Sequence, residues 1–432
     1  MDRLRPIPTL NLCGAVKGSN IRRLILITAA GSLLGCIRTE FRNRDSGPDA
    51  TGMDAGVDDA QVMLNAEATR AVLDSIGTRV VAPLLVQFES DARALVGATE
   101  ANAAGPTTET RDAARAAWRQ AIGTWQHLEM IQVGPAGLST NTVLGRGLRD
   151  EIFAWPLVSR CRIDQVTASD AYADSVALLA QPLNVRGLAA MEYLLFYDAA
   201  DNGCAATAVI NTSGAWAALG DAEVLRRRAV YAHTLAVLIE ARATELRAAW
   251  DPAGENFIGA LRTAGAGSAA FPTAQAGLNA VSDALFYLYK EVADNKLGIP
   301  AGVRMECTSD LCPDRVESIW AHASLDHIRS NLETFQAAYL GGPPDVTDAS
   351  GFDDLLRSIG ASMLDDEIQT GLTGCFTALD AVEGPLESAL TLDHADVIAL
   401  HDAIRAVGVL FKVQVLTLLD LELPRRLDGD AD

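Results

Sequence analysis

The spacing of apolar residues is the feature that most limits the fold of this sequence. From about residue 61 to residue 424, alanine and leucine dominate and apolar residues recur every three or four positions. This is the period of one face of an α-helix, and long alternating runs typical of β-strands are lacking. We therefore predict an all-α protein in which these stripes form the core. The clearest stripes are Trp118, Ile122 and Trp125; Leu278, Val281, Leu285, Leu288 and Val292; and Val316, Trp320, Ala323, Ile328, Leu332, Phe335 and Tyr339.

Gly-Pro and Asp-Pro breaks divide the helical region. The clearest break opens at Asp251-Pro252, and the stretch behind it contains the small residues 263–268, which favour a flexible linker. Each side of the linker has enough helices for a four-helix-type bundle. The predicted parts are a first helical bundle at 61–250, a linker at 251–276, a second helical bundle at 277–424 and a tail at 425–432.

The N-terminus has the pattern of a secretory signal. Arg22 and Arg23 precede an apolar run at 24–34, and the run closes with Leu-Leu-Gly before Cys36. Such a run is too short to span a bilayer as a helix. Its ending resembles the bacterial lipobox, in which the cysteine becomes the lipid-modified first residue. We predict a signal peptide at 1–36 with lipidation of Cys36; the alternatives are a plain signal peptide or a short buried helix.

The charge of the chain bears on its partners. The whole chain carries 35 Lys+Arg and 56 Asp+Glu; cleavage before Cys36 would remove five of the former and one of the latter, leaving a net charge of about −25. Such a surface repels nucleic acid and anionic lipid headgroups, so membrane attachment must come from acyl chains. Residues 37–60 are rich in Gly and Asp and are expected to form a flexible tether.

Four cysteines are candidates for disulfide bonds. Cys161 and Cys204 flank one segment, and Cys307 and Cys312 are five positions apart. In an oxidising envelope compartment they could be disulfide-bonded, and the alternative is four buried thiols. Cys375 would be left over. The sequence has no Cys-x-x-Cys motif, so we expect no structural zinc site.

Several short motifs occur in a characteristic order. They are Trp125 to Glu129 followed by Val133-Gly134-Pro135; Asn184 to Phe196; Glu317-Ser318 with Ser324 and Asp326; and Leu421 to Pro424. Together they resemble the imelysin family, also called peptidase family M75. The resemblance implies an all-helical fold of two related bundles packed together, with a site between them. It also implies an envelope protein linked to iron uptake; one founding activity is proteolysis, with a metal held by a Gly-x-His-x-x-Glu motif.

This sequence departs from that motif at one position. Aligning Gly187 and Glu192 with it places Ala189 where the histidine should stand, and alanine has no lone pair for a metal. The zinc-protease signature His-Glu-x-x-His is also absent from the sequence. The resemblance therefore favours the fold and the envelope location over metal binding or hydrolysis.

Two carboxylates on apolar helices are the strongest site candidates. Glu192 lies among apolar neighbours, and a buried carboxylate requires a partner. It is either a ligand or general base with a raised pKa, or a structural residue that pairs with Arg186 or caps a neighbouring helix. Glu129 continues the Trp118 stripe and can face the same interior, or it lies at the rim. Inward carboxylates from different helices are how bundles hold hard cations.

Further candidates lie at the start of a predicted helix behind Pro313. Glu317 and Ser324 are seven positions apart and would share one face, while Ser318 could bond locally.

Asp326 and His322 are four apart and could form half of a site. The alternative places His322, His327 and Asp326 on a solvated face. We expect His127 at the surface or rim.

These patterns predict a non-enzymatic binding protein linked to iron or metal uptake. It would be lipid-anchored in the outer membrane, face the periplasm and work with iron-uptake components. The alternatives are an M75-type metallopeptidase, disfavoured by Ala189, and a structural lipoprotein that binds a partner. The predicted binding residues are Glu129, Arg186, Glu192, Glu317, Ser318, Ser324 and Asp326. Among them Glu129, Glu192 and Glu317 would hold a divalent or ferric metal ion.

Overall fold

The fold is described by a computed structural model that covers residues 64–423. The predicted signal peptide with Cys36, the tether and the tail at 425–432 lie outside the described residues. Within 64–423 the α-helices are α1 (Ala66–Ser75), α2 (Ala82–Ala104), α3 (Thr108–Glu129), α4 (Leu148–Ile152), α5 (Arg160–Ser169), α6 (Ser175–Leu179), α7 (Gly187–Phe196), α8 (Val209–Thr212), α9 (Asp221–Trp250), α10 (Phe257–Arg262), α11 (Ala274–Leu285), α12 (Ser324–Leu340), α13 (Phe352–Ser358), α14 (Ser362–Ala381), α15 (Leu386–Leu392), α16 (His394–Leu410) and α17 (Leu416–Leu418).

Shorter helical segments connect some of these helices. The π-helical segments are Ile76–Val81, Leu288–Gly298 and Phe411–Val415, and the 3₁₀ segments are Gly134–Ala136, Leu183–Val185 and Pro313–Arg315. The described part of the chain contains no β-strand, only one isolated backbone bridge between Phe153 and Gly187. The all-α prediction is confirmed.

Local side-chain chemistry sets several helix boundaries. Asn65 begins α1, accepting a hydrogen bond from the N–H of Glu67 at 2.8 Å. Thr107 and Thr110 form a reciprocal capping box at the start of α3. These caps bind N–H groups that have no partner inside the helix. At the other end, α9 stops at Trp250, immediately before the predicted Asp-Pro break.

The apolar stripes form the core, as predicted. Trp118, Ile122 and Trp125 are at most 1% exposed, and the stripe from Leu278 to Val292 is equally buried. Helix α2 packs along α3 and α9, and α14 packs along α16. The continuous helix from Ala66 to Ala104 is long and apolar enough to cross a bilayer by length and composition alone. Half of its most apolar window is buried inside the protein, as in a core helix.

The predicted linker is packed rather than free. Helix α10 lies inside it, and Phe257, Ile258 and Leu261 are at most 3% exposed. The small residues of 263–268 suggested flexibility, but the aromatic and aliphatic residues beside them bind the segment to the core. One continuous apolar core includes residues from both predicted halves and from the linker. The division into two bundles stays a prediction.

The helix predicted to start behind Pro313 begins later. Residues 316–323 form turns, His322 has a left-handed φ of 55°, and α12 starts at Ser324. Glu317 and Ser324 therefore do not share a helix face, which corrects the sequence prediction.

The four candidate cysteines are paired in two disulfides. Cys161 is bonded to Cys204, and Cys307 is bonded to Cys312. Cys375 is free and buried in α14, and burial raises the pKa of its thiol to about 12. A thiol of this kind stays protonated and unreactive at neutral pH.

Candidate functional site

A buried ammonium group lies at the centre of the candidate site. The Nζ atom of Lys296, from the π-helical segment after α11, donates to Oε1 of Gln126 at 2.7 Å and to Oδ1 of Asn331 at 2.8 Å. It also lies 2.9 Å from Oε1 of Glu317 and 3.9 Å from Oε2 of Glu129. The three short contacts use all three N–H donors of the ammonium. Helices α3 and α12 and the turns before α12 thus meet at one charged side chain.

Glu317 carries the negative charge opposite Lys296. Its second oxygen, Oε2, lies 3.0 Å from Nδ1 of His327 on α12. Burial opposes the charge of this carboxylate, but Lys296 and His327 outweigh that effect and hold the pKa of Glu317 at about 2. His327 is 2% exposed, so the alternative that places it on a solvated face is wrong for this residue. The carboxylate of Glu317 therefore holds His327 in the protein interior.

Glu129 binds a second cation on its other side. Its Oε1 atom accepts from Nε of Arg149 at 2.9 Å, and Arg149 also donates to the carbonyl of Trp155 and to Asp150. Glu129 is fully buried, which raises the pKa of its carboxyl, while Arg149 and Lys296 act in the opposite direction. Its Oε2 atom accepts no hydrogen bond among the described residues. Glu129 therefore faces the interior rather than the rim.

The carboxylate of Glu192 binds backbone N–H groups. Its Oε1 atom accepts the N–H groups of Trp320 and Ala321, each at 2.9 Å. Burial raises the pKa of Glu192 to about 7, the two N–H groups partly offset this, and the charge of Glu317 adds to it. The carboxylate fixes the turn in front of α12, which is the structural role that the sequence left open.

Gly187 in the second motif also has a structural explanation. It starts α7 with a φ of +79°, in the region that favours glycine. A Cβ atom at this position would lie 2.7 Å from the carbonyl oxygen of Ile152. Backbone packing thus explains why a glycine stands at position 187, and hydrogen bonds to the turn before α12 explain the glutamate at position 192. Between them Ala189 is 4% exposed and carries no ligand atom.

The residues at this site do not fit the predicted metal ion. Glu129 and Glu317 face the ammonium of Lys296, and Glu192 faces two backbone N–H groups. Within residues 64–423, no group of three or more His, Cys, Asp and Glu side chains is placed to hold a metal. The three glutamates converge where α3, α7, the π-helical segment Leu288–Gly298 and the turns before α12 meet, which we call the seam. Protein donors occupy the space between them.

Arg186 has a different partner from the predicted one. Its Nη1 atom lies 2.9 Å from Oε2 of Glu151 in α4, so it does not orient Glu192. Arg186 precedes α7 in an extended conformation, and its side chain reaches Glu151 in α4. Ser318 and Ser324 bond to one another: the N–H of Ser318 donates to Oγ of Ser324 at 3.1 Å.

One other predicted contact, between Asp326 and His322, does not form. Asp326 is exposed on α12, and His322 pairs with Glu387 instead of Asp326. His127 is partly exposed, as expected for a rim position, and its Nδ1 atom lies 2.9 Å from Oγ1 of Thr334. The geometry therefore does not support Asp326 as a site residue.

A cleft of about 550 Å³ lies beside the seam, and Arg149 connects the two. It is lined by residues from the segments 132–156 and 270–295 and by Glu422 and Leu423. Arg149 lines the cleft and binds Glu129 behind it. The charged lining residues are Arg149, Asp150, Asp283, Glu291 and Glu422, and the amide-bearing ones are Gln132, Asn141, Asn279 and Asn295.

Some of these residues carried a signal in the sequence and others did not. Lys296 continues the buried stripe of Leu288 and Val292 at a spacing of four. A lysine on an apolar helix face is a signal by which the sequence could have identified it as a site residue. Arg149 lies in a short helix without a stripe, and nothing in its spacing indicated a partner for Glu129.

Residues 81–412 match the sequence model of the Peptidase_M75 family, described as imelysin. Iron-regulated protein A of Synechococcus elongatus is 26% identical over 358 residues, covering 81% of this chain and 87% of the relative.

Two crystal structures share the fold. One is described as an iron-regulated protein A precursor from Parabacteroides distasonis; its TM-score is 0.65 at 16% identity, over 83% of this chain and 97% of that one. The other is an imelysin-like protein from Psychrobacter arcticus, with a TM-score of 0.63 at 18% identity over 84% and 99%. Because the family model matches most of its length, the chain belongs to the imelysin family, peptidase family M75.

Proposed function

We propose that this chain is a lipid-anchored binding protein of the periplasmic side of the envelope, that it serves iron uptake, and that an iron-linked ligand binds in the cleft beside Arg149. The observation that carries the proposal is the cleft itself. Its charged lining comprises four carboxylates against one guanidinium. Its volume of about 550 Å³ lies within the range of small-molecule sites, roughly 300–1,000 Å³.

The role in iron uptake is supported by the relatives. The curated relative is named iron-regulated protein A, and so is one of the two structural neighbours. These names belong to those proteins, and the role comes to this chain as a proposal.

The lining of the cleft limits the ligand. Its carboxylates attract cations and repel anions. The described residues lack a preassembled cluster of His, Cys, Asp and Glu ligands, so a bare ion would find no ready-made coordination site. We infer a neutral or cationic iron complex that brings its own donor atoms and bonds to the amide groups of the cleft.

Peptidase activity has less support. Ala189 replaces the motif histidine, and the three glutamates are at most 5% exposed. A general base must reach the proton that it abstracts, whereas these carboxylates are bonded to Lys296, Arg149 and backbone N–H groups. Cleavage of denatured casein that stops on addition of a chelator would favour the peptidase alternative.

Ligand binding is tested by titration. The cationic ferric complex of desferrioxamine B and anionic ferric citrate are added to the purified protein, and quenching of tryptophan fluorescence is followed. Glu291→Lys reverses a charge in the cleft, and Glu367→Lys makes the same change on the exposed face of α14. We expect the cationic complex to bind, Glu291→Lys to weaken it at least tenfold and Glu367→Lys to leave it unchanged.

Two outcomes would contradict the proposal. One is that the cationic complex of desferrioxamine B does not bind the folded protein. The other is tighter binding of ferric citrate, which an acidic cleft should repel.

The lipid anchor needs a separate experiment. Cells that express the full chain are labelled with radioactive palmitate and fractionated. The proposal predicts label and membrane association for the natural sequence and loss of both in Cys36→Ser. A membrane-bound, unlabelled protein would argue against lipidation.

A further inference from the structure

The surroundings of Lys296 resemble those of a bound metal ion. Oxygen atoms of Gln126, Asn331 and Glu317 lie 2.7, 2.8 and 2.9 Å from its Nζ atom, and Glu129 adds a fourth oxygen at 3.9 Å. All five residues are at most 5% exposed. We call these four oxygens the oxygen cage.

The donor atoms of the oxygen cage suit a hard divalent cation. Carboxylate and amide oxygens are the protein ligands of Ca²⁺, Mg²⁺ and Mn²⁺. Oε2 of Glu129 has no hydrogen-bond donor among the described residues, so it can accept a cation. In this chain the cation is supplied by the protein itself, at the end of a buried side chain.

Neighbouring groups keep the oxygen cage in place without the lysine. Arg149 binds the other oxygen of Glu129, and His327 contacts the other oxygen of Glu317. The side-chain amide of Asn331 donates to the backbone carbonyl of Gln126 at 2.7 Å. Truncation of Lys296 would therefore leave the carboxylates held in position around an unfilled space.

We propose that the ammonium of Lys296 is the resident cation of the seam and excludes metal ions from the oxygen cage. Removal of the lysine side chain converts the oxygen cage into a divalent metal site. This inference is independent of what binds in the cleft, because Lys296, Glu129 and Glu317 are not among the residues that line the cleft.

The first test compares Mn²⁺ binding by the natural chain and by Lys296→Ala. Binding is measured by calorimetry, and the bound ion is followed by electron paramagnetic resonance. We expect one Mn²⁺ per chain in Lys296→Ala and at least tenfold weaker binding by the natural chain. Glu317→Gln in the Lys296→Ala background should abolish binding, and methylammonium should compete with Mn²⁺ because it restores the ammonium.

Two results of this test would overturn the inference. One is a natural chain that binds Mn²⁺ as tightly as Lys296→Ala and loses the ion in Glu317→Gln. The other is a folded Lys296→Ala variant that binds no Mn²⁺.

A second test does not require Lys296→Ala to fold. The folding equilibrium constants of Lys296→Met, Glu317→Gln and the double variant are measured by urea denaturation. Each single change leaves one buried charge without its partner, so we expect at least a 100-fold loss in each. The double variant should return to within about tenfold of the natural chain. Losses that simply multiply in the double variant would overturn the inference.

Discussion

The Nζ atom of Lys296 lies 2.9 Å from Oε1 of Glu317, and each of these side chains is only 1% exposed. Water cannot solvate either charge, so each depends on the other and on the amides of Gln126 and Asn331. The pair joins the π-helical segment after α11 to the turn before α12. π-Helical turns are often found at functional sites, and here the turn carries the lysine to the seam.

The contact of His327 with Glu317 sets the response to acid. The pKa of Glu317 is about 2 in the folded state, below its ordinary value of 4.5. This carboxylate therefore stabilises the fold above pH 4.5, and the contribution is lost as the pH falls toward 2. Replacement of His327 by Gln removes one cause of the low pKa, so acid unfolding should begin at a higher pH.

Circular dichroism during acid titration measures that shift. His127→Gln is the matched control, because His127 contacts Thr334 and not Glu317. An acid-unfolding midpoint unchanged in His327→Gln, or moved equally in His127→Gln, would refute the assignment.

Glu192 should produce the opposite pH dependence. Its pKa is raised from 4.5 to about 7 in the folded state, so the folded protein binds the proton more tightly than the unfolded chain. The contribution of this group to the free energy of unfolding is greatest below pH 4.5 and declines as the pH rises to 7. Glu192→Gln removes this decline, which is on the order of 3 kcal/mol at about 1.4 kcal/mol per pKa unit.

Urea denaturation at pH 5 and pH 8 tests this expectation. The free energy of unfolding of Glu192→Gln minus that of the natural chain should be larger at pH 8 than at pH 5. Glu367→Gln, on the exposed face of α14, should show no such difference. A constant offset between Glu192→Gln and the natural chain at both pH values would contradict the raised pKa.

Gly187 allows a direct test of backbone packing. Gly187→Ala requires an alanine at a φ of +79° with its Cβ atom 2.7 Å from the carbonyl oxygen of Ile152. We expect a loss of about 2–3 kcal/mol in the free energy of unfolding. Gly97→Ala is the control, since its Cβ atom meets nothing within 4 Å in helix α2 and should stabilise by about 0.5–1 kcal/mol. Equal effects of the two changes would remove this explanation of the motif glycine.

The two disulfides should differ in their contribution to stability. Cys161 and Cys204 are separated by 43 positions, and Cys307 and Cys312 by five. By the loop-closure relation, the first bond is worth about 4 kcal/mol and the second about 2 kcal/mol. Thermal unfolding of the two double Cys→Ser variants tests this order, and a larger loss from the short loop would reverse it.

The sequence predicted that these carboxylates converge, but it did not predict which groups bind them. Glu129 and Glu192 stand out in the sequence because they interrupt apolar helices, and a buried charge must be compensated. The identity of the compensating groups depends on packing between distant segments. Lys296 is 167 positions from Glu129 along the chain. The helical period predicts contacts within one helix and carries no information about contacts between segments so far apart.

The errors around α12 have a similar origin. Apolar spacing from Val316 onward fits a helix, but the carboxylate of Glu192 binds two N–H groups of that segment and stabilises turns instead. The alternative that places His322, His327 and Asp326 on a solvated face holds for the exposed residues His322 and Asp326 but not for His327. His327 lies in the first turn of α12, and it is buried there against Glu317, which lies in the turns before the helix.

We propose that the ligand binds in the cleft, while the charges of the protein itself close the seam. Titration of Glu291→Lys and Glu192→Gln with the cationic ferric complex of desferrioxamine B distinguishes these two places. We predict that Glu291→Lys loses at least tenfold in affinity and that Glu192→Gln binds as the natural chain does. Loss of binding in Glu192→Gln with full binding in Glu291→Lys would contradict the claim and return the ligand to the seam.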